Sequence, residues 1–189
     1  YYVLNLGIGC IYDCTYCYLQ AYINTPGIIL PVNTGEFFDE LNSLKNKKLR
    51  IGTGEFSDSL ALDEITQYSI PIIGFFKDKK EGVFEFKTKS ANIENIIKAK
   101  HGGNIVVSWS LNPQRIINEN EFFSSSLNER LDAALKCIKA GYRVGFHFDP
   151  VIYFQGWHKE YSRLIELLLA KVSLRHIAWI SIGTLRFNP

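Results

Sequence analysis

Three of the chain's four cysteines, Cys10, Cys14 and Cys17, lie within the stretch GIGCIYDCTYCYLQ at residues 7–20. The spacing C-x3-C-x2-C puts three thiols on one loop, and the thiolate is the form of cysteine that binds iron and zinc. A structural zinc site commonly takes four ligands from two separate pairs, and this sequence has no second pair. Three thiolates on one loop suit a [4Fe–4S] cluster that is bound at three irons and open at the fourth.

Other uses of these thiols stay open at this point. A histidine (His101, His147, His158 or His176) could complete a zinc site, although none has zinc-like spacing. An electron-carrier cluster normally needs a fourth cysteine, and Cys137 lies inside the predicted helix LDAALKCIKA, where a buried and inert thiol is expected. Disulfides suit small secreted scaffolds better than a chain of 189 residues that is 47% hydrophobic. We therefore expect a reducing compartment, the cytoplasm.

The positions of the thiols depend on the elements around them. Six apolar segments predict strands, at residues 1–6, 48–53, 83–88, 104–110, 143–148 and 176–182. Helical patterns lie between them, at residues 33–44, 62–76 (interrupted by Pro71), 91–100, 126–141 and 156–171. This alternation predicts an α/β fold with a parallel sheet and helical crossovers, either doubly wound or a closed or partial (β/α) barrel.

Individual segments carry more specific signals. The helix at 126–141 begins with the capping-box pattern Ser126-x-x-Glu129. The basic runs KNKKLR (45–50) and KDKK (77–80) precede strands and are predicted to be solvated turns. The last helix is predicted to bury one stripe, made of Tyr161, Leu164, Ile165, Leu168 and Leu169. A net charge of +2 does not by itself demand a nucleic-acid partner, and no apolar run is long enough to cross a membrane.

Parallel strands bring their carboxyl ends to one edge, where catalytic groups collect. The cysteines follow the first strand, so we expect them at that edge. His147 and Asp149 end the fifth strand and are candidates to bind substrate or orient a cofactor, and Arg186 follows the sixth strand as a candidate phosphate ligand. The same edge should hold residues 52–59, Lys89, Ser110 and Asn112.

The triplet follows the first strand and has an aromatic residue before its last cysteine, which resembles the radical S-adenosylmethionine enzymes. That resemblance implies a partial (β/α)6 barrel. It also implies a [4Fe–4S] cluster whose open iron is chelated by S-adenosylmethionine, which is cleaved to a 5′-deoxyadenosyl radical.

Six blocks extend the resemblance along nearly the whole chain: CTYCYLQ, RIGTGEFSDSLALD, FKTKSANIENII, VSWSLNP, AGYRVGFHFDPVI with GW, and WISIGTLRF. In this order they are similar to the spore photoproduct lyase family. The resemblance implies a lyase that repairs a thymine dimer in ultraviolet-irradiated spore DNA, with DNA as partner and a reductant such as flavodoxin or ferredoxin. It further implies that residues 1–189 are a radical S-adenosylmethionine core domain lacking its native N-terminal and C-terminal extensions.

Roles carry over onto matching positions. Cys10, Cys14 and Cys17 match the cluster ligands. Lys89, Ser110 and Asn112 match positions that hold the carboxylate and ribose end of the cofactor, where a cation and short polar groups are chemically suited to bind. The full set of implied cofactor contacts is Gly54, Glu55, Ser57, Lys89, Ser110 and Asn112.

The resemblance also implies a catalytic difference. Tyr16 and Tyr18 match tyrosines linked to radical transfer, and aromatic packing beside the cluster is the other interpretation. Members of the family carry a hydrogen-donating cysteine in the segment that corresponds to GTGEFSDS, whereas this chain has Glu55 there. A carboxylate is no useful hydrogen-atom donor, and Cys137 is in the wrong element to replace it. A relative with another substrate is therefore the alternative hypothesis.

Overall fold

A computed structural model describes residues 1–43, 49–79 and 81–185 of the chain. The strands are β1 (Tyr2–Val3), β2 (Asp13–Cys14), β3 (Leu49–Gly52), β4 (Gly82–Thr88), β5 (Ile105–Ser110), β6 (Glu121–Phe122), β7 (Arg143–Val151) and β8 (Ile177–Thr184). The helices are α1 (Leu19–Tyr22), α2 (Thr34–Ser43), α3 (Asp63–Thr66), α4 (Ser69–Phe76), α5 (Glu94–Lys98), α6 (Gln114–Asn120), α7 (Leu127–Lys139) and α8 (Trp157–Lys171). A short 3-10 helix, Leu174–His176, leads into β8.

Six strands form one parallel sheet in the order β1-β3-β4-β5-β7-β8, which curls into a half-barrel. Each neighbouring pair is parallel, so all carboxyl ends lie at one edge. The predicted partial (β/α)6 barrel is confirmed. Each of the six predicted strands overlaps one strand of this sheet. The first is reduced to Tyr2–Val3, whereas β7 and β8 extend beyond their predicted ends.

The two faces of the sheet differ in chemistry because strand side chains alternate with period two. In β4, Phe84 and Phe86 are fully buried in the hydrophobic core, while Glu85 and Lys87 line the concave side. In β7, Phe146 belongs to the core and His147 lines the concave side. The apolar side chains of the strands therefore pack against the helices on the outer face. The polar side chains project into the lumen of the half-barrel.

Helix α7 packs on the outer face against β5 and β7. Its capping box is confirmed: the Ser126 hydroxyl accepts from the backbone of Glu129, whose carboxylate accepts from the backbone of Ser126. Cys137 is fully buried on this helix and belongs to the hydrophobic core, as predicted. Burial raises the pKa of the Cys137 thiol to about 12, so this thiol stays protonated at neutral pH.

Two helix predictions are wrong in detail. Pro71 does not interrupt its helix; it lies in the first turn of α4, where a missing N–H costs no helical hydrogen bond. The break falls at Gln67, which has a φ of 54° and ends α3. In α8, Ile165 and Leu169 are exposed, so the buried stripe is narrower than predicted and comprises Tyr161, Leu164 and Leu168.

The basic runs also need a correction. Arg50 is not part of a solvated turn; it lies in β3, pairs with Glu85 and stacks over the Trp179 ring at 4.1 Å. Residues 45–48 of the first run and residue 80 of the second lie outside the described residues. No helix in the described parts of the chain is long and apolar enough to cross a membrane.

Gly145 in β7 allows two neighbouring side chains to meet. A Cβ there would lie 2.3 Å from the Ser108 Oγ and 2.7 Å from the Trp179 Nε1. We expect Gly145→Ala to lower the free energy of unfolding by about 1–3 kcal/mol through overpacking. Gly74→Ala in α4 is the control, because a Cβ there would meet no atom within 4 Å. This substitution should raise the free energy of unfolding by about 0.5–1 kcal/mol. Urea denaturation measures both; equal effects of the two substitutions would contradict this account.

Candidate functional site

The lumen opens into a cavity of about 650 Å³ at the carboxyl edge of the sheet. Most of the predicted site residues meet in its wall: Cys10, Cys14, Cys17, Tyr16, Tyr18, Gly54, Glu55, Ser57, Lys89, Ser110, His147 and Asp149. Asn112 lies behind the wall, and Arg186 lies outside the described residues. Segments that are far apart in the sequence thus form one chamber.

The cysteine loop is anchored on two sides. Cys14 belongs to β2, which pairs antiparallel with β6 so that Cys14 lies opposite Glu121. The Thr15 amide donates to the Asn120 carbonyl at 2.9 Å. On the other side, the Gly9 amide donates to the Phe56 carbonyl at 2.8 Å, which ties the loop to the turn after β3. These contacts hold the loop over the cavity.

All three loop cysteines are free thiols that line the cavity. Burial raises the pKa of Cys10, and it raises that of Cys14 to about 12, so metal loading must displace their protons. Within residues 1–43, 49–79 and 81–185, no three ligand side chains are arranged around a single metal ion. A [4Fe–4S] cluster needs no such arrangement, because each thiolate binds a different iron. Three thiols on one anchored loop, facing a chamber, fit that cluster.

The turn after β3 requires glycine at position 54. Gly54 has a φ of 86°, which an L side chain rarely adopts, and a Cβ there would lie 2.8 Å from the Lys87 carbonyl oxygen. The turn therefore packs directly on β4. This close approach presents Glu55 and Ser57 to the cavity.

Lys89 directly follows β4, and a hydrogen bond from its backbone amide fixes its position. The Asp58 carboxylate accepts from the Lys89 amide at 2.7 Å and from the Thr88 hydroxyl at 2.6 Å. The Lys89 Nζ lies 5.8 Å from the centroid of the Tyr16 ring. A cation is thus directed toward the cysteine loop.

A buried ion pair lies beneath the loop. The Arg130 Nη2 donates to the Glu121 Oε2 at 2.6 Å, and both side chains are fully buried. The same guanidinium donates to the carbonyls of Ser110 and Ser125, each at 2.8 Å. Burial opposes ionisation of Glu121, but the charges of Lys89 and Arg130 lower its pKa. The pair therefore joins α7, the end of β5 and the segment that supports the cysteines.

Tyr16 and Asn112 complete this network. The Tyr16 hydroxyl donates to the Glu121 Oε1, and the Asn112 amide donates to the same oxygen at 2.9 Å. The Asn112 Oδ1 accepts from the Tyr161 hydroxyl at 2.6 Å. Burial, reinforced by the charge of Glu121, raises the pKa of Tyr16, which stays a neutral phenol. Both ends of the Asn112 amide are engaged away from the cavity.

A second buried carboxylate, Glu85, forms the floor of the lumen. Its Oε1 accepts from Ser108 at 2.6 Å, His147 at 2.7 Å and Trp179 at 2.8 Å. Burial alone would raise the pKa of Glu85, but hydrogen bonds from His147 and Ser108 and the charge of His147 lower it to about 2. The other nitrogen of His147 lies 2.5 Å from the Ser181 hydroxyl, so both ring nitrogens are engaged.

The remaining predicted residues lie at the mouth of the cavity. Tyr18 is 46% exposed and its hydroxyl donates to the Glu55 carbonyl at 2.5 Å. Asp149 packs on Gly183, where a Cβ would come within 2.5 Å of its Oδ1. The mouth therefore combines a phenol with carboxylates.

Sequence reasoning missed Glu85, Glu121 and Arg130. A signal existed for Glu85, since it alternates with two buried phenylalanines and so must face the lumen. Arg130 is three residues after Leu127, on the buried stripe of α7, and an arginine there requires a buried partner. Glu121 had no comparable signal, because its two-residue strand follows directly on α6.

Comparison with known proteins identifies relatives over most of the chain. Residues 1–185 match the family model described as spore photoproduct lyase. The spore photoproduct lyase of Bacillus subtilis (strain 168) is 31% identical over 182 residues, which cover 93% of this chain and 53% of that protein. That of Geobacillus sp. (strain Y412MC61) is 31% identical, over 88% of this chain and 50% of that protein. The chain thus spans about half the length of these curated relatives.

Solved structures give the same result. A spore photoproduct lyase double mutant with bound AdoMet and dinucleoside spore photoproduct superposes with a TM-score of 0.90 at 29% identity, covering 98% of this chain and 57% of that one. A spore photoproduct lyase complexed with dinucleoside spore photoproduct gives a TM-score of 0.83 at 30% identity, covering 89% of this chain and 51% of that one.

Loss of the buried guanidinium should strongly destabilise the site. Arg130→Met leaves the Glu121 charge buried and unpaired, so we expect the free energy of unfolding to fall by about 3–5 kcal/mol. The control Arg115→Met removes an exposed pair with Glu119 and should cost at most about 0.5 kcal/mol. Chemical denaturation measures both variants. A loss at Arg130 no larger than at Arg115 would contradict the proposed importance of the pair.

The low pKa of Glu85 predicts a pH dependence. A carboxyl whose folded pKa lies below its unfolded value stabilises the fold above the unfolded pKa, and that stabilisation disappears as pH falls toward the folded pKa. The shift from the ordinary 4.5 to about 2 corresponds to about 3 kcal/mol, lost progressively below about pH 5. Glu85→Gln should be less stable at neutral pH and show a shallower acid dependence. Urea denaturation between neutral pH and about pH 3.5 tests this, with Glu119→Gln as control; parallel curves would refute it.

Proposed function

This chain belongs to the spore photoproduct lyase family, and on that premise we propose that it is a radical S-adenosylmethionine lyase that repairs the spore photoproduct, a thymine dimer of ultraviolet-irradiated DNA. The observation that carries the proposal is that three loop thiols line the same cavity as Lys89, Ser110 and residues of the turn after β3. These groups come from four different segments, yet they form the wall that a cluster with its cofactor requires.

Within this proposal, Cys10, Cys14 and Cys17 would hold the cluster at the wall of the chamber. When bound, the cluster and S-adenosylmethionine supply reductive cleavage of the sulfonium and thereby a 5′-deoxyadenosyl radical. Lys89 binds the cofactor carboxylate, since its ammonium is directed toward the cysteine loop. The amino group of the cofactor would lie beside Gly54, Glu55 and Ser57. Its ribose would lie beside Ser110.

Asn112 acts from behind this wall. Its amide is engaged by Glu121 and Tyr161, so we assign it a positioning role for Tyr16 rather than a direct cofactor contact. Tyr18 is the better placed of the two tyrosines for hydrogen-atom transfer, because its hydroxyl lies at the mouth beside Glu55. Among the described residues, the only thiols that line the cavity are the three proposed cluster ligands. Tyr18 is therefore the proposed donor in place of a further cysteine.

The partners follow from this chemistry. Reduction of the cluster needs a one-electron donor, and we propose a flavodoxin or ferredoxin. DNA is the proposed substrate because two solved relatives carry dinucleoside spore photoproduct. Four free thiols support a reducing compartment, for which we propose the cytoplasm.

A second candidate is a related radical enzyme with a different substrate. Glu55 favours it, because a carboxylate occupies the segment in which the family resemblance implies a hydrogen-donating thiol. The two candidates share the cluster, the cofactor and the first radical, and they differ only in what the radical attacks.

One anaerobic assay separates them. The reconstituted protein is supplied with S-adenosylmethionine, a reductant and dinucleoside spore photoproduct, and both dimer loss and 5′-deoxyadenosine are quantified. Dimer loss supports repair, whereas deoxyadenosine without dimer loss supports the second candidate. The Cys14→Ala variant should lack the cluster spectrum and both products; an intact cluster in that variant would reject the ligand assignment, and absence of both products from the loaded wild-type protein would reject the enzyme proposal.

A further inference from the structure

The lumen holds a lysine that the proposed cofactor site does not use. Along β4, Glu85, Lys87 and Lys89 project to the same side at alternate positions, and all three line the cavity. Glu85 forms the floor and Lys89 lies toward the cysteine loop. Lys87 is therefore at the middle level of the chamber, between the floor and the proposed cofactor.

Among the described residues, the Lys87 backbone amide donates to the Ser59 Oγ at 3.2 Å, whereas its ammonium forms no hydrogen bond or ion pair. Burial lowers the pKa of Lys87, the charge of Lys89 lowers it further, and the carboxylates of Asp149, Glu85 and Glu55 oppose the shift. A half-buried cation without a partner costs free energy. The ammonium therefore lines the chamber with donors that are free to bind a ligand.

Glu55 lies on the same side of the chamber, on the turn after β3, where its neighbour Gly54 packs against Lys87. Its side chain is exposed to the cavity and, within the described parts of the chain, its carboxylate forms no hydrogen bond or ion pair. Only its backbone carbonyl is engaged, by Tyr18. An unpaired donor and an unpaired acceptor of opposite charge thus line one cavity.

We propose that Lys87 and Glu55 form a substrate subsite that binds the imide edge of a pyrimidine base. Lys87 donates to a ring carbonyl and Glu55 accepts from the adjacent ring N3–H. This inference rests on the proposed function and specifies how the chamber would recognise a thymine. It assigns the Glu55 carboxylate to the substrate, in place of the cofactor contact that the resemblance implies, and leaves that contact to Gly54 and Ser57.

The charges of the wall select this ligand over an anion. Inorganic phosphate would gain from Lys87 but would meet the carboxylates of Glu55 and Asp149. The other two cations of the wall have other partners, because Arg50 pairs with Glu85 and Lys89 is assigned to the cofactor carboxylate. A neutral imide carries an acceptor next to a donor, which matches a cation next to a carboxylate. The imide therefore satisfies both unpaired groups without bringing an additional charge into the chamber.

Binding of the dinucleotide thymidylyl-thymidine to the cluster-loaded protein in the presence of S-adenosylmethionine tests the subsite, measured by isothermal titration calorimetry. We expect Lys87→Met to weaken binding by about tenfold to hundredfold, as for loss of a hydrogen bond to a charged group. Its unfolding midpoint should not fall, because methionine has a similar length and removes an unpaired charge. The control Lys136→Met, on the exposed side of α7, should bind like the wild type.

The opposite results would overturn the subsite. Equal affinity of Lys87→Met, no binding by the wild type, or equal binding of an N3-methylated dinucleotide would each reject it, and competition by inorganic phosphate would point to an anion site instead. Reductive formation of 5′-deoxyadenosine without any dinucleotide reports on the proposed radical chemistry alone. If that product forms while Lys87→Met binds normally, the subsite fails and the proposed function survives; if it does not form, the function fails whatever the binding shows.

Discussion

The ion pair between Glu121 and Arg130 is the interaction on which the arrangement of the site depends. Arg130 reaches from α7 to the end of β5, and Glu121 lies opposite Cys14 in the small β2–β6 sheet. Tyr16 and Asn112 both donate to Glu121, and Tyr161 of α8 donates to Asn112. Four elements that surround the cysteine loop therefore share one buried charge pair. Such a pair is costly to desolvate, and it is sustained here because Arg130 makes four hydrogen bonds and Glu121 accepts at both carboxylate oxygens.

The half-barrel separates two kinds of packing. Its outer face is filled with aromatic and branched side chains that close against the helices, whereas its inner face carries Glu85, Lys87, Lys89 and His147. Period-two alternation makes this possible, since each strand supplies core and lumen at once. Charged groups within the lumen either have partners, as Glu85 has, or lack them, as Lys87 does among the described residues. The paired groups maintain the shape of the chamber, and the unpaired ones are available to a ligand.

His147 illustrates why the identity of a residue does not define its role. A histidine at the end of a strand is a plausible substrate ligand, but both of its ring nitrogens are engaged, one by Glu85 and the other by Ser181. It orients the floor of the cavity and has no nitrogen left for a ligand in this arrangement. Lys87 is the reverse case. It was not singled out from its sequence, yet its position in the lumen makes it the more accessible polar group.

Much of this protein was predictable from its sequence because the signals are local. The spacing of Cys10, Cys14 and Cys17 places three thiols on one loop whatever surrounds it, and alternating apolar residues define strands whose carboxyl ends share an edge. The capping box of α7 is equally local. Only the tertiary structure decided which groups meet: Arg130 with Glu121, His147 with Glu85, and Lys87 with the same chamber as Glu55. Those encounters depend on strand register and helix packing between residues far apart in the chain, and no local pattern encodes them.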